Sequence, residues 1–264
     1  MIPRIPTRVA ALGYSEHRFR GYAVFAELTG TSYAALIALA VSGRRPTADE
    51  TEALDLLAGV TTVADPRIWP LKLARLVASY GGCLAGFAAS QLPLEGDRIG
   101  PPITVHAATM LVEMHQAVGG RLDDREACRA AARELVAQRR RLVGFGIPFR
   151  PADERYVALR AALVARGRTE LPFWRLHEIL VEVVQSDRGL PPNIGIGTAA
   201  MLLDMGHGPH EAAAIVHFIN QHVFVANAFE GARDAREELR VLPASTIRYV
   251  GAPPRRSPRA TVER

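Results

Sequence analysis

Apolar residues recur at three-to-four spacing along most of the chain, the pattern of helices that each bury one face. In "LPFWRLHEILVEVVQSDRG" (171–189) the stripe is clear and a glycine ends it. "TSYAALIALAVSG" (31–43) offers Thr31 or Ser32 as N-cap and Gly43 as stop. "PTADETEALDLLAGV" (46–60) opens with Thr47 and Glu50 three apart, a capping box. "RLDDREACRAAARELVAQRRRLVG" (121–144) has acids at its start and arginines before Gly144, as the helix dipole favours, and predicts a helix running towards that glycine. "GPHEAAAIVHFINQHVFVANAFEGARDAREEL" (208–239) carries Pro209 in its first turn and runs for two or three ordinary helix lengths. Period-two alternation is nearly absent; "TIRYVG" (246–251) is the one short strand candidate. The expected class is all-α. Loops rich in Gly and Pro fall at 93–102, 144–151 and 189–197, and these are where a site is expected.

Composition changes this picture little. Hydrophobic residues at 48% and charged residues at 22% are ordinary globular material. No uninterrupted apolar run reaches the ~18 residues of a membrane span, and the first twenty residues do not read as a signal peptide, so a cytoplasmic protein without membrane contact is expected. Cys83 and Cys128 stand apart, which supports neither a zinc site nor a disulfide framework. The formal charge of +5 sits at the ends: residues 1–20 and 252–264 carry +3 each, leaving the body at −1. That distribution gives no phosphate-tracking stripe, so no nucleic-acid partner is expected. The tail 252–264 reads as a disordered basic segment. His207, His210 and His217 cluster in "MGHGPHEAAAIVH" without enough further ligands for a metal. "GGCLAGFAAS" (81–90) fits no phosphate loop and reads as a tight helix-packing segment.

Five segments, in order, resemble the citrate synthase family and its citryl-CoA lyase relatives. They are "RFRGYAVFAELTGTSYAALIALAVSGRRPTADE" (18–50), "IGPPITVHAATMLVEM" (99–114), "GFGIPFRPADERY" (144–156), "LPPNIGIGTAAMLLDMG" (190–206) and "FINQHVFVANAFEGARDAREELRVLPASTIRYVG" (218–251). The third is similar to a Gly-x-Gly-His loop followed by Asp-Pro-Arg, the fourth to a Pro-Asn-Val-Asp segment. The resemblance spans about 18–251. It implies a homodimer whose subunit has a large domain (18–103 and 193–251), a small domain (104–192) and a cleft between them that binds acyl-CoA. Coenzyme A as part of such a substrate is the one cofactor implied, and no metal.

The resemblance also implies three proton-handling groups, two histidines and an aspartate, that form and use an enolate. Here those positions fall on Ile103, Ile147 and Gly195, none of which can exchange a proton. The helix arginine of the family falls on Asn227, and the arginine before the closing proline on Leu242, with Arg240 nearby. Arg150 and Arg155 keep the pattern linked to anion contacts and are the candidate substrate-binding residues. His106, Asn193, His222 and Asn227 are the remaining polar candidates for catalysis, each equally readable as a cap, core or interface group. Two functions follow. One is an enzyme of transferase or lyase type, acting by non-citrate chemistry, such as carbon–carbon bond chemistry in specialised biosynthesis, on an acyl-CoA or other small molecule in an apolar cleft. The other is a non-catalytic homologue, a pseudoenzyme that binds a ligand or an active paralogue.

Overall fold

The computed structural model describes residues 5–13, 15–96, 99–148, 150–234 and 243–253. Arg240, Leu242 and the tail from 254 onward lie outside the described residues. The chain opens with a small antiparallel meander, β1 (Ala10–Ala11), β2 (Arg18–Phe19) and β3 (Tyr22–Ala23), which pairs Ala10 with Phe19 and Phe19 with Tyr22. After a π-helical turn at Val24–Leu28 the described chain is helical: α1 (Tyr33–Ser42), α2 (Ala48–Val60), α3 (Trp69–Gly81), α4 (Cys83–Gln91), α5 (Pro101–Val118), α6 (Arg125–Gln138), α7 (Glu154–Val164), α8 (Pro172–Arg188), α9 (Ile194–Asp204), α10 (Pro209–Ile219) and α11 (Gln221–Asp234). The all-α class is as the periodicity predicts.

Caps set most of the boundaries. Ser32 accepts from Ala35 N–H, Thr47 and Glu50 form the reciprocal box, and Gly43 and Gly189 end α1 and α8 in the left-handed conformation. Two expectations need correction. The helix beginning near Arg125 stops at Gln138, six residues before Gly144, because Arg139 leaves it in the extended conformation and the chain bends at Arg140. "TIRYVG" forms no strand; its first residue closes a single helical turn at Ala244–Thr246. The long C-terminal run is two helices, broken where Asn220 leaves α10. Taken as one stretch, Pro209–Asp234 has the length and mean hydropathy (1.2) of a membrane span. Its apolar residues Ile215, Ile219, Val223, Phe224 and Ala228 are instead buried in the fold, where α10 packs on α1 and α5 and α11 packs on α3.

α5, α8 and α9 form the centre. α9 is buried continuously from Ile196 to Leu203, and Leu111 and Met114 of α5, Trp174 and Leu180 of α8, and Leu159 of α7 close round it. Asp204 accepts the Phe173 and Trp174 N–H groups at 2.8 and 2.9 Å, so the end of α9 caps the start of α8. A second layer of α3, α4 and α11 packs through small residues, Ala74, Ala78 and Ala228. A Cβ on Gly86 of α4 would stand 2.5 Å from Ala78 Cβ, and one on Gly231 of α11 would stand 2.9 Å from Arg75 Cα. Gly86 of "GGCLAGFAAS" therefore serves close helix approach, as the sequence suggests, while Gly82, at φ +86°, forms the joint between α3 and α4. Gly86→Ala is expected to destabilise by about 2–3 kcal/mol, read as a lower urea midpoint at unchanged slope. An unchanged midpoint would mean that α3 and α4 are not in this contact.

Candidate functional site

All three Gly/Pro-rich loops meet at one cleft of about 570 Å³. Its wall is built by main-chain hydrogen bonds. After α6 the chain passes a bend at Arg140 and turns at Gly144, whose φ of +90° and missing Cβ let it lie on Ile196, where a Cβ would come within 2.7 Å of the Ile196 Cβ. Phe145 bridges Pro192; Gly146 N–H donates to Pro191 O at 2.7 Å, and Asn193 N–H to Gly144 O at 2.9 Å. The loop after α6 is thus sewn to the loop before α9.

Asn193 and Asp153 complete the wall. Asn193 caps α9 by accepting Gly195 N–H at 2.9 Å, and its Nδ2 donates to Gly146 O at 3.1 Å. Asp153 caps α7, and its carboxylate is 2% exposed. It accepts Arg155 Nε at 2.9 Å, Arg155 Nη2 at 2.8 Å and, from across the cleft wall, Ile194 N–H at 2.9 Å. Burial pushes this carboxyl up, but the Arg155 guanidinium and the Ile194 N–H outweigh it and hold the group below the usual carboxylate range.

Ile103, Ile147 and Gly195 all line this cleft, together with Asn193 and Arg155. A Cβ on Gly195 would lie 3.4 Å from Ile103 Cγ2 and a tight 3.1 Å from Asn193 Oδ1. The three positions that the resemblance makes catalytic therefore converge, and they present two isoleucines and a bare backbone. Arg155 spends two of its donors on Asp153.

The other candidates lie elsewhere. His106 is exposed on α5 and faces a shallower cavity of about 560 Å³ with His210, Gln91 and Glu95. His222 is exposed, with Nε2 2.8 Å from Thr62 Oγ1. Asn227 is buried and donates to Ala64 O at 3.0 Å and Val223 O at 2.9 Å, pinning α11 to the chain before α3. Arg150 is exposed and ion-paired with Glu154, and its charge reaches Asp65. Among the described residues no three His, Cys, Asp or Glu side chains gather as a metal site. Both cysteines are free.

Sequence reasoning missed His217 and Asn220 as lining groups. The signal was present: Ala213, Val216, His217, Asn220, Val223 and Phe224 recur at helical spacing and all line the cleft. His217 is half-buried, and burial lowers its pKa against a smaller opposing pull from Glu95. Its imidazole is therefore neutral at pH 7.

No family model matches the sequence, and a search of curated proteins finds no match. Solved structures do match. Citryl-CoA lyase from Hydrogenobacter thermophilus superposes with a TM-score of 0.78 at 22% identity, covering 97% of this chain and 98% of that one. ATP citrate lyase from Methanothrix soehngenii, in complex with citrate and coenzyme A, gives 0.74 at 13% identity over 96% of this chain and 42% of that one. Citrate synthase from Thermotoga maritima gives 0.63 at 15% identity over 88% of this chain and 62% of that one. The chain accordingly has the all-α citrate synthase-like fold, expected from its five ordered segments and matched here over nearly its whole length.

Proposed function

We propose that the protein binds an acyl-CoA or a related small molecule with an apolar body in this cleft and acts on it by chemistry other than citrate formation. The observation that carries the reading is the convergence of Ile103, Ile147 and Gly195 on one wall of a well-formed cleft. Such a wall positions an acyl group by shape and excludes water, and it supplies no acid or base. Arg155 is the anion contact in this reading, and Arg150, outside the lining, is a rim contact for a phosphate. His217, neutral and in the lining, is the group able to move a proton. The structural neighbours whose names include CoA compounds support acyl-CoA as the ligand class.

Calorimetric titration with acetyl-CoA is expected to show binding that weakens about tenfold in Arg155→Ala. Equal affinity of the two proteins would remove Arg155 from the site. Turnover of an acyl-CoA, lost in His217→Gln with binding retained, separates the enzyme from the non-catalytic homologue.

The assembly belongs to the same proposal. Phe218, Val225 and Phe229 are exposed along α10 and α11, as are Leu84 on α4 and Leu92 just after it. This face suits a second copy of the chain. Light scattering is expected to give the dimer mass for the wild type and the monomer mass for Val225→Asp/Phe229→Asp. A wild-type monomer at micromolar concentration would refute the dimer. The two-domain division at 104 and 192 is carried in the same way, as a proposal.

A further inference from the structure

His217 lines both cavities, and its two ring nitrogens are supplied differently. Gln221, one turn further on at the start of α11, reaches back to it. The Gln221 Nε2 donates to His217 O at 2.7 Å and stands 3.3 Å from His217 Nε2. The first of these bonds fixes the amide, because an oxygen in that place would stand against a carbonyl oxygen. An amide nitrogen has only protons to share, so His217 Nε2 is an accepting nitrogen. Burial keeps the ring neutral at pH 7, and a neutral ring has one proton, which then sits on Nδ1. Free histidine favours the other tautomer, so the amide selects the minor form. Among the described residues, the buried side-chain nitrogens and oxygens without a partner belong to Gln91, Arg168, His177, Asn220 and Gln221. His217 Nδ1 also meets no described protein group, but it is accessible. Arg141 and Arg155 bring charge to the same lining, and His217 adds a neutral donor.

We infer that Gln221 is a positioning residue: it holds His217 as a hydrogen-bond donor from Nδ1 towards an uncharged acceptor of the ligand, and withholds it as a base. The choice of acceptor, a thioester carbonyl, rests on the acyl-CoA reading above; the choice of tautomer does not. With Nε2 turned to the amide and Nδ1 already protonated, the ring can lend a proton to an oxygen but cannot take one from carbon.

The tautomer is read from the imidazole nitrogen shifts in long-range proton–nitrogen correlation spectra of the ligand-free protein at pH 7. The His217 signals are identified by their loss in His217→Gln. The wild type is expected to carry the proton on Nδ1, and Gln221→Leu to move it to Nε2. Gln221→Glu, which keeps the shape but offers an acceptor, is expected to move it as well, and serves if the leucine variant does not fold. A wild-type ring protonated on Nε2, or a tautomer unmoved in the variants, overturns the role of Gln221. The acceptor is read by calorimetry with acetyl-CoA and its ethyl thioether analogue, which lacks only the carbonyl oxygen. Acetyl-CoA is expected to bind the wild type about fivefold tighter than the thioether, and the Gln221 variants to lose that preference. Equal binding in the wild type overturns the donor role and leaves the acyl-CoA reading standing. Failure of both to bind overturns the acyl-CoA reading and the carbonyl with it, while the spectra still decide the role of Gln221.

Discussion

Incubated with acetyl-CoA and oxaloacetate, the protein is expected to release CoA no faster than a blank without protein. The chemistry that the resemblance implies needs a base at the α-carbon, a hydrogen bond to the enolate oxygen and a polariser for the second substrate. A positioned base is worth about 10²–10⁴ in rate, and a donor to a developing oxyanion about 10²–10³. With Ile103, Ile147 and Gly195 in all three places, the loss is on the order of 10⁶ or more. Neither His106, which faces another cavity, nor Asp153, which is committed to Arg155 and Ile194, stands in for them. A rate that saturates in both substrates would show that a different set of residues does the chemistry.

Asp153→Asn is expected to be the most damaging single change in the cleft wall, lowering stability by about 3 kcal/mol at pH 7. The carboxylate is almost fully buried and satisfies a guanidinium and an N–H group of another segment. The amide keeps the shape but not the charge, and leaves Arg155 facing half a partner. The pH dependence has a definite sign. The folded-state pKa lies below the ordinary 3.8, so the stabilisation is fully present above about that pH. It is lost as pH falls further, through the folded-state value. Wild type and variant should therefore differ in urea midpoint at pH 7 and draw together in acid. A constant difference from pH 7 to pH 2 would show that the charge of Asp153 does not contribute.

Most of the fold was legible because its signals are local. The Thr47–Glu50 box, the Ser32 cap and the Gly189 stop are each decided within a few residues. That Ile103, Ile147 and Gly195 would share one cleft was legible through ordered motifs, since short loops carry a position with them. What failed was whatever depends on helix phase. His106 sits three residues from Ile103 on α5, yet the two face different cavities. Asn227 was placed by motif and lies in the packing between α11 and the chain before α3, while Asn220, seven residues earlier, reaches the cleft. The early end of α6 was hidden for the opposite reason: arginines suit a helix end, and only tertiary pairing draws the following residues into the wall.

The bonds that shape this wall have a consequence for how such a site changes over time. They run between backbone groups, Asn193 and Asp153. The side chains at 103 and 147 and the missing one at 195 take no part in them. The hydrogen bonding of the wall is thus indifferent to the side chains at 103 and 147, whereas a Cβ at 195 would press to 3.1 Å on Asn193 Oδ1. A lineage can exchange imidazole for isoleucine at the first two places without passing through an unfolded intermediate, and a designer could write new chemistry into them.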